Sequence, residues 1–367
     1  MPGRHLVDVV VGARPNFVKV ASLLSEMARS DTLRARLVHT GQHDRPELSG
    51  VFFAELGLPA PDIHLRAGGG SPAEQTGRVM AAYEAVLAER APAATVVVGD
   101  VNSALGAAIS AKRAGVALVH LEAGLRSRDR SMPEEINRLA VDAVTDRFWC
   151  PSADAADNLR AEGHAEADMA TVGNFMVDAL MRGLERFTQS PPDGVPGRYA
   201  LATVHRPANT RDPARRCAIL SALRELSGEI PVVLVDHPSL LREMEAGEAD
   251  GLRRLPPQPY SDFLALQRHA AVVVTDSGGV QEETTVLGVH CLTVRPNTER
   301  PVTLDAGTNR LVEPENIVAE TRRALTGVPA DRPSIPGWDG RAAERAVRDL
   351  EGWLEAGCPV ARGGPAC

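Results

Sequence analysis

Short apolar runs rich in β-branched residues alternate with helical patterns along most of the chain, and this alternation limits the possible folds. The runs, for example Leu6–Val11 and Val272–Thr275, are continuously apolar and do not alternate between apolar and polar residues. Continuous apolar runs are typical of parallel strands whose two faces are both covered by helices. Because the alternation occurs in two series, we predict an α/β protein with two doubly wound, Rossmann-like domains.

The predicted elements follow one another in the order expected for such domains. The strands of the first series are Leu6–Val11, Arg36–Thr40, Thr95–Val98, Ala117–Leu121, Arg147–Cys150 and Thr171–Val172. The strands of the second series are Tyr199–Val204, Val232–Val235, Leu252–Leu255, Val272–Thr275 and Cys291–Val294. The helices include Asn16–Arg29, Pro72–Arg90 and Asn102–Ala114, and the last one is predicted over Gly340–Glu355.

A linker separates the two series at Gln189–Arg198, a segment rich in proline and glycine. A chain of 367 residues exceeds one ordinary core, so we predict domains over residues 1–188 and 198–357. Open parallel sheets bind ligands beyond the carboxyl ends of their strands, so two facing sheets predict a cleft between the domains. The last helix either crosses back to the first domain or simply ends the second, and the sequence leaves both possibilities open.

Composition and charge exclude several classes of protein. The net charge of −8 argues against a nucleic-acid-binding surface, because such surfaces are basic. No apolar run is long enough to span a bilayer, and the first residues lack the pattern of a signal peptide. The five cysteines are dispersed without a CxxC pair, which fits a reducing cytoplasm. We therefore expect a cytoplasmic protein that binds neither nucleic acid nor membranes.

A glycine-containing turn follows the strand Val272–Thr275 and leads into a helix. Around Ser277, Gly278 and Gly279, unpaired backbone N–H groups would converge at the positive end of the helix dipole, which makes an anion site. Glu283 lies about one turn into the helix, where it would repel a phosphate but could accept hydrogen bonds from ribose hydroxyls. The alternative is a turn whose glycines serve packing alone.

The loop after the first strand stands where a dinucleotide-binding fingerprint would be. It has Gly12 but lacks the second and third glycines of that fingerprint, which weighs against tightly held NAD or FAD. Arg14 and Lys19 are suited instead to a phosphate or a sugar oxygen.

Carboxylates follow two buried strands of the first domain. Asp100 comes directly after the strand that ends at Val98, and its alternative role is to cap the next helix. His120 and Glu122 are two residues apart, so we expect them on the same side of a strand. Glutamate is seldom buried without a partner or a function, and the structural alternative is a salt bridge from Glu122 to Arg126.

Two further acids, Glu134 and Glu135, fall in the first turn of a helix that begins at Pro133. Acids at this place complement the helix dipole, and we expect one of the two to do no more than that.

The second domain supplies cationic side chains near strand ends. His205 and Arg206 follow its first strand, and His237 repeats that placement after the next one. Arg300 and Arg310 are expected in loops near the glycine turn. Phosphate-binding elements in one domain and carboxylates in the other indicate a nucleotide-sugar enzyme. The chain has no DxD motif in a metal-holding context and no Cys/His site, so no metal is implied.

Taken together, these segments closely resemble the non-hydrolysing UDP-N-acetylglucosamine 2-epimerases. The resemblance covers about residues 6–313, in the order and spacing of the family. Its motifs are GARPNFVKVASLL, TGQH, GDVNSALGAA, HLEAGLRS, RSMPEEINR, VGNFMVDAL, TVHRP, TDSGGVQEETTVLG and TERPVTLDAGTNRLV. It implies a fold like that of the GT-B glycosyltransferases, a homodimer, and interconversion of UDP-GlcNAc and UDP-ManNAc without NAD or metal.

The resemblance also implies roles for the matching residues. The catalytic candidates are Asp100, Glu122, Glu134 and His205. The substrate-binding candidates are Arg14, Lys19, Arg206, Phe263, Ser277, Gly278, Gly279, Glu283, Arg300 and Arg310. In the family's pattern the Ser-Gly-Gly turn would hold the diphosphate, Glu283 the ribose, Phe263 the uracil and Arg310 the nucleotide.

The chain departs from the pattern of many members at two motifs. Where these have TRPE and HRxEN, this chain has Ala13–Asn16 and His205–Asn209, so that an acid is lost at both. Some bacterial members bind a second UDP-GlcNAc as an activator. The residues that match that region are Gln42, His43, Arg78 and His237, which are therefore candidate allosteric residues.

The reaction that the resemblance implies requires such acids, because the hydrogen at C2 of the hexose is not next to a carbonyl. Loss of UDP from C1 would acidify that hydrogen and permit elimination to a 2-acetamidoglucal, to which UDP then re-adds. One carboxylate must remove the proton and another deliver one to the opposite face, and the sequence does not tell which does which. The alternatives are a GT-B glycosyltransferase that uses a UDP-sugar, a hydrolysing epimerase that releases ManNAc and UDP, and a non-catalytic binding protein.

Overall fold

The computed structural model describes residues 4–42, 57–186, 190–327 and 333–357. The chain divides into two compact units. Unit 1 consists of residues 1–179 and 336–367, and unit 2 of residues 180–335. The division therefore differs from the expected boundary at the proline-rich linker, and the described residues 336–357 belong to unit 1.

Within the described residues, unit 1 is built on a seven-stranded sheet in which all neighbouring strands are parallel. Its strands are β1 (His5–Val11), β2 (Leu33–His39), β3 (Ile63–His64), β4 (Ala94–Val98), β5 (Ala117–Leu121), β6 (Arg147–Cys150) and β7 (Met169–Thr171). Its helices are α1 (Arg14–Met27), α2 (Pro72–Glu89), α3 (Asn102–Arg113), α4 (Pro133–Asp142), α5 (Ala153–Ala161), the first turn of α6 (Phe175–Arg186) and α14 (Ala342–Glu355). A 3₁₀ turn covers Glu166–Asp168.

Unit 2 contains a six-stranded parallel sheet in its described part. Its strands are β8 (Ala200–Thr203), β9 (Val232–Val235), β10 (Arg253–Leu255), β11 (Val272–Thr275), β12 (Cys291–Thr293) and β13 (Asn309–Leu311). Its helices are α7 (Pro207–Thr210), α8 (Pro213–Ser227), α9 (Pro238–Glu243), α10 (Tyr260–His269), α11 (Gly278–Leu287), α12 (Pro301–Asp305) and α13 (Ile317–Thr326). A 3₁₀ turn covers Pro314–Asn316.

Both sheets have the strand order of a Rossmann fold. In unit 1 the order is β3-β2-β1-β4-β5-β6-β7, and in unit 2 it is β10-β9-β8-β11-β12-β13. The order reverses between β1 and β4 in the first sheet and between β8 and β11 in the second. Ligands of such sheets bind beyond the carboxyl ends of the strands at this reversal. The prediction of two doubly wound, Rossmann-like domains is confirmed.

Apolar side chains cover both faces of the first sheet, as continuous apolar strands require. Successive residues point to opposite faces of a strand. Val9 and Val96 accordingly belong to one core cluster, and Val10 and Val97 belong to another. Burial of such side chains on both faces fixes the sheet between its two helical layers.

The last helix, α14, packs in unit 1, where Ala346 and Leu350 join the core cluster of β1 and α1. Asp178 of α6 accepts hydrogen bonds from the backbone N–H groups of Ala342 and Ala343, at 3.0 and 2.8 Å, and so caps the start of this helix. Along α14, Asp349 accepts a hydrogen bond of 2.8 Å from the Trp149 indole. Of the two possibilities that the sequence left open, the structure therefore shows the one in which the last helix packs against the first domain.

Two short strands were not predicted. β3 and β13 have two and three residues and lie at sheet edges, where few apolar positions are needed. Arg310 was expected in a loop but lies in β13, so that expectation was wrong. Among the residues that the structure describes, no helix has the length and apolarity to cross a membrane.

Candidate active site

Glu122 occupies a turn at the carboxyl end of β5, directly beside the end of β4. Leu121 pairs with Val98, so the segments that follow these two strands begin next to each other. The backbone of Glu122 is left-handed, with φ +73°, a strained conformation for a residue that has a Cβ. It is held there because the N–H groups of Glu122 and Ala123 both donate to the Trp149 carbonyl oxygen at 3.1 Å.

The carboxylate of Glu122 forms an ion pair with Lys19 of α1, and both side chains are about 10% exposed. Gly99, with φ +62°, lies against this pair: a Cβ at that position would stand 3.0 Å from Glu122 Oε2. Glycine therefore gives the carboxylate room. The alternative salt bridge to Arg126 is wrong, because Arg126 pairs with Asp142 and Glu162.

His120 does not share a side of the strand with Glu122, since β5 ends at Leu121 and the chain then turns. The buried ring of His120 lies 2.6 Å from Asp142 through Nδ1 and 3.0 Å from the Gly99 carbonyl oxygen through Nε2. A backbone carbonyl oxygen can only accept a hydrogen bond, so Nε2 is the donor in the contact with Gly99. Burial alone would raise the pKa of Asp142, but His120 and Arg126 hold it below its ordinary value.

Asp100 follows β4 and is held by a buried arginine of α4. Arg138 Nη2 donates to Asp100 Oδ2 at 2.7 Å, and the Asp100 side chain is 31% exposed. Asn137 of the same helix donates to the Asp100 backbone oxygen at 2.8 Å. The carboxylate is thus fixed from one side and open to solvent on another.

The structure distinguishes the two acids at the start of α4. Glu135 is buried, and its carboxylate accepts hydrogen bonds from the backbone N–H groups of Ser127 and Arg128 and from Arg138. Glu134 is exposed at the second position of the helix. Glu135 therefore holds the preceding loop, and Glu134 remains available to a ligand.

In unit 2, a buried aspartate joins the segments that follow β8 and β11. Asp276 accepts hydrogen bonds from the backbone N–H groups of His205 and Arg206 and from the Asn209 amide, at 2.9–3.1 Å. Its Oδ1 also lies 2.9 Å from Nδ1 of His205. Burial opposes ionisation, yet these partners lower the pKa of Asp276 to about 2.

The glycine turn begins α11, as predicted. Ser277 caps this helix, and its hydroxyl accepts a hydrogen bond of 3.5 Å from the Val280 N–H. A Cβ on Gly278 would lie 2.5 Å from Arg300 Nη1, so glycine is required for the guanidinium to approach the helix N-terminus. Arg300 is held by Glu282, at 2.7 Å from its Nε, and by Glu299.

Glu299 is the centre of a buried charge cluster. Its two oxygens face the guanidinium groups of Arg295, at 2.6 Å, of Arg206, at 3.4 Å, and of Arg300. Burial lowers the pKa of Arg295, partly opposed by the carboxylate of Glu299. Three guanidinium groups against the carboxylates of Glu299 and Glu282 leave positive charge beside the N-terminus of α11, which suits an anion.

Glu283 lies in the second turn of α11 and is almost completely buried. Its carboxylate accepts hydrogen bonds from the Tyr260 hydroxyl at 2.9 Å and from the Gln267 amide at 2.6 Å. Burial raises the pKa of Glu283 to about 7, although both donors oppose the shift. Phe263 lies between these two residues on α10 and is partly buried against the core.

A family model described as UDP-N-acetylglucosamine 2-epimerase matches residues 25–351, which is most of the chain. This chain belongs to the UDP-N-acetylglucosamine 2-epimerase family. The family prediction made from its motifs is thereby confirmed, and with it the class of enzyme, an epimerase.

Proteins of known name and structure are similar to this chain over most of its length. The UDP-2,3-diacetamido-2,3-dideoxy-D-glucuronate 2-epimerase of Pseudomonas aeruginosa is 37% identical over 87% of this chain and 91% of its own. The UDP-N-acetylglucosamine 2-epimerase of Methanococcus maripaludis is 35% identical over 86% and 90%. A crystal structure of the Methanocaldococcus jannaschii UDP-GlcNAc 2-epimerase in complex with UDP-GlcNAc and UDP has a TM-score of 0.88 and 32% identity. It covers 95% of this chain and 99% of that one.

Of the predicted site residues not yet described, His237 lies beside the cluster of His205 and Asp276, and the others lie elsewhere or outside the described residues. His237 stacks at an angle near His205, with ring centroids 5.1 Å apart. Gln42 accepts a hydrogen bond of 2.8 Å from Ser103, and Arg78 donates to the Gly68 carbonyl oxygen at 3.1 Å. The side chain of Arg14, and His43 as a whole, lie outside the described residues.

Arg310 is not part of the arginine cluster around Glu299. Its guanidinium pairs at 2.8 Å with Glu320 of α13 and is about half exposed. The reason is the alternation of side chains along a strand. The preceding residue, Asn309, faces α11 and donates to Gln281 at 3.1 Å, so Arg310 points to the opposite face.

One departure from the family pattern has a local explanation. Asn16 accepts hydrogen bonds from the Gly12 and Ala13 N–H groups, at 3.2 and 3.0 Å, and donates to the Val98 carbonyl oxygen at 3.3 Å. A carboxylate could make the first two contacts but not the third, because it has no hydrogen to donate. Asn16 therefore ties the loop after β1 to the end of β4.

The sequence patterns named Glu299 near the glycine turn but gave no positioning role to the residues that hold the functional candidates in place. Arg138, Asp276 and Glu299 each position a candidate, respectively Asp100, His205 and Arg300. Asp276 could have been found, because it follows a buried strand as Asp100 does. Within the described ranges, no group of three or more His, Cys, Asp or Glu side chains is arranged to hold a metal ion.

Proposed function

We propose that this chain is a non-hydrolysing UDP-GlcNAc 2-epimerase that interconverts UDP-GlcNAc and UDP-ManNAc by elimination and re-addition of UDP. The observation that carries the proposal is the buried ion pair of Glu122 and Lys19. This carboxylate lies in a strained turn after β5, and its lysine comes from the helix that follows β1, so the pair lies beside the reversal of strand order between β1 and β4. Strained backbone next to the place where such sheets bind ligands is typical of a functional site. Family membership provides the class of reaction.

The chemistry makes use of the carboxylates of unit 1. The hydrogen at C2 becomes acidic once the bond from C1 to UDP begins to break, because positive charge then develops next to it. One carboxylate removes this proton to give a 2-acetamidoglucal, and another protonates the opposite face before UDP returns to C1. Asp100, Glu122 and Glu134 are the groups proposed for these transfers, and either of the first two can start as the base.

The positive groups of unit 2 stabilise the departing diphosphate. The N–H groups of Gly278 and Gly279 and the guanidinium groups of Arg206 and Arg300 favour developing negative charge. The N–H of Ser277 already donates to the Thr275 hydroxyl at 3.0 Å. Asp276 holds the ring of His205 through Nδ1, and we propose that the ring faces the diphosphate through Nε2. UDP that stays bound after elimination can re-add, which is why we propose a non-hydrolysing enzyme.

The nucleoside would be held by α10 and α11. Each oxygen of Glu283 accepts one hydrogen bond from the protein, and a carboxylate oxygen can accept a second one. Glu283 can therefore still accept from ribose hydroxyls. Phe263, on the helix whose Tyr260 and Gln267 hold Glu283, offers an aromatic face for uracil.

A second candidate substrate is UDP-2,3-diacetamido-2,3-dideoxy-D-glucuronate. It is favoured by the relative from Pseudomonas aeruginosa, which is named for that substrate and is 37% identical to this chain. Both candidate substrates carry an acetamido group at C2 and a UDP group at C1, so the same elimination can apply to each.

Product analysis tests the proposal and separates the candidates. Each nucleotide sugar is incubated alone with the enzyme, and the products are separated by anion exchange and identified by NMR. Intact UDP-ManNAc from UDP-GlcNAc is the expected result. Free ManNAc with UDP would show hydrolysis, and inversion of the diacetamido substrate alone would show the second candidate. No change in either would contradict an epimerase.

Three further features are proposed on the family resemblance. The enzyme is a homodimer, which light scattering can measure, and it works in the cytoplasm, which cell fractionation can measure. UDP-GlcNAc is proposed to act as an activator at Gln42, His43, Arg78 and His237. Full initial rates with UDP-ManNAc free of UDP-GlcNAc would contradict activation.

A further inference from the structure

Asn174 is a buried amide for which the proposed mechanism has no role so far. It lies between β7 and α6 and is 3% exposed. Its Oδ1 accepts a hydrogen bond of 2.8 Å from the N–H of Met176, in the first turn of α6. Its Nδ2 is buried and has no hydrogen-bond partner within the described part of the chain. A buried donor without an acceptor is costly, so a ligand that supplies one would be favoured.

The orientation of the amide follows from its one hydrogen bond. If the amide were turned over, Nδ2 would face the N–H of Met176, and two donors would then oppose each other. Oδ1 therefore stays with Met176, and Nδ2 points away from the helix. The donor direction is fixed without any ligand.

Asn174 lines the same small cavity as Lys19 and Glu122. All three belong to unit 1, and the rest of the cavity wall is mainly apolar. The residue with the unpartnered donor therefore shares a cavity with the carboxylate that is proposed to act at C2 of the hexose. A hydrogen bond is electrostatically stronger in such a low-dielectric surrounding than in water.

The backbone before Asn174 is held by the end of unit 1. Gly173 has φ +98°, and a Cβ there would lie 2.0 Å from the Gly337 carbonyl oxygen, so only glycine fits. Arg345 of α14 donates to the carbonyl oxygens of Val172, at 2.6 Å, and of Gly337, at 2.8 Å. The return of α14 to this unit thus fixes the turn that carries Asn174.

We propose that the Asn174 amide is a substrate-binding group that donates a hydrogen bond to the acetamido carbonyl oxygen at C2 of the hexose. This rests on the proposed function, and it names the part of the substrate that the cavity recognises. The acetamido oxygen is the strong neutral acceptor next to the carbon at which Glu122 acts. Both candidate substrates carry it, so the contact selects 2-acetamido sugars.

Two variants separate binding from helix capping. Asn174→Ser and Asn174→Asp both keep an oxygen for the Met176 N–H, but both lose the amide donor, and only the second adds a charge. Asp212→Ser is the matched control, since Asp212 caps α8 through the N–H groups of Ala214 and Arg215 and has no proposed role in catalysis.

The expected result is a fall of about tenfold or more in kcat/KM for both Asn174 variants, as for the loss of one specific hydrogen bond to substrate. The affinity for UDP, which has no hexose, should stay unchanged, and the control should keep the wild-type kcat/KM. UDP-2-deoxyglucose, which has no group at C2, should bind equally well to the wild type and to Asn174→Ser.

Other outcomes separate the failure of this inference from that of the proposed function. Wild-type kcat/KM in both variants, or a loss that only follows the unfolded fraction, would show that Asn174 is a helix cap. An equal loss of affinity for UDP-2-deoxyglucose would exclude the acetamido contact. A wild-type enzyme that converts neither nucleotide sugar would overturn the proposed function and this inference with it.

Discussion

His205 and Asp276 are joined by a contact of 2.9 Å between Nδ1 of the ring and Oδ1 of the carboxylate. The same carboxylate accepts hydrogen bonds from the backbone N–H groups of His205 and Arg206. It therefore fixes both the tautomer of the ring and the path of the chain after β8. Thr203 at the end of β8 pairs with Thr275 at the end of β11. The contact of His205 with Asp276 therefore links the two segments that follow these strands, at the point where the strand order reverses.

Replacing Asp276 tests whether this contact serves catalysis. In Asp276→Asn an amide would face donors, and we expect kcat to fall about 100-fold, within the range for a misplaced acid–base group. The matched control is Asp236→Asn, since Asp236 follows β9 in the same way but pairs with the exposed Arg254. Turnover per folded enzyme, with folding followed by circular dichroism, is the measurement. Equal activity in both variants would contradict the role of Asp276.

The carboxylates of unit 1 should be required for turnover. We expect Asp100→Asn, Glu122→Gln and Glu134→Gln each to lower kcat at least about 100-fold, as for lost acid–base groups. Glu135→Gln is the neighbouring control. Glu135 holds the loop of Ser127 and Arg128, so this variant should lower the melting temperature, and its kcat should fall less than that of the three variants above. Full turnover in the first three variants would remove the catalytic assignment.

Gly278→Ala tests the approach of Arg300 to the helix N-terminus. The new Cβ would displace a guanidinium that Glu282 and Glu299 hold on either side. We expect the dissociation constant for UDP to rise about tenfold, which corresponds to about 1.4 kcal/mol of binding free energy.

The control for this variant is Gly352→Ala in α14, where a Cβ would meet nothing within 4 Å. It should stabilise the protein by roughly 0.5–1 kcal/mol, because alanine is the better helix former, and leave UDP binding unchanged. Calorimetric titration with UDP measures the binding of both variants. Wild-type affinity in Gly278→Ala would show that Arg300 does not depend on the glycine.

The buried carboxyl of Glu283 should make stability depend on pH. Its pKa is raised from 4.5 to about 7 in the folded chain, so the folded state holds the proton more tightly. The stabilisation is complete below pH 4.5 and is lost as the pH rises through 7, by about 3 kcal/mol in total. Glu283→Gln has no such proton, so its unfolding free energy relative to wild type should rise between pH 5 and 8.

Urea unfolding at several pH values measures this difference. Glu225→Gln, at an exposed position of α8, is the control and should show no such change. A constant difference between wild type and Glu283→Gln over that range would mean that Glu283 is not held protonated by burial.

Much of the site could be predicted from the sequence, because parallel sheets follow a general rule about where polar residues lie. Polar residues directly after buried strands lie at one edge of a parallel sheet, and this located Asp100, Glu122, His205 and Ser277. The neighbouring strand ends of β4 and β5 confirm the placement of the first two on one sheet edge.

What could not be predicted depends on contacts between distant residues. Lys19 and Glu122 are 103 positions apart, and the left-handed backbone of Glu122 has no signal such as glycine. The direction of Arg310 depends on which residue of β13 faces α11. The place of α14 depends on its cap at Asp178, which a helical pattern alone does not reveal.

In the proposed mechanism, carboxylates of unit 1 exchange the hydrogen at C2 of a UDP-linked hexose. The most direct measurement is proton NMR of UDP-GlcNAc incubated with the enzyme in D2O. Wild type should replace the C2 hydrogen by deuterium in intact UDP-ManNAc, and Glu122→Gln should do so at least about 100-fold more slowly. Inversion at C2 without deuterium, or an undiminished exchange rate in Glu122→Gln, would contradict the account.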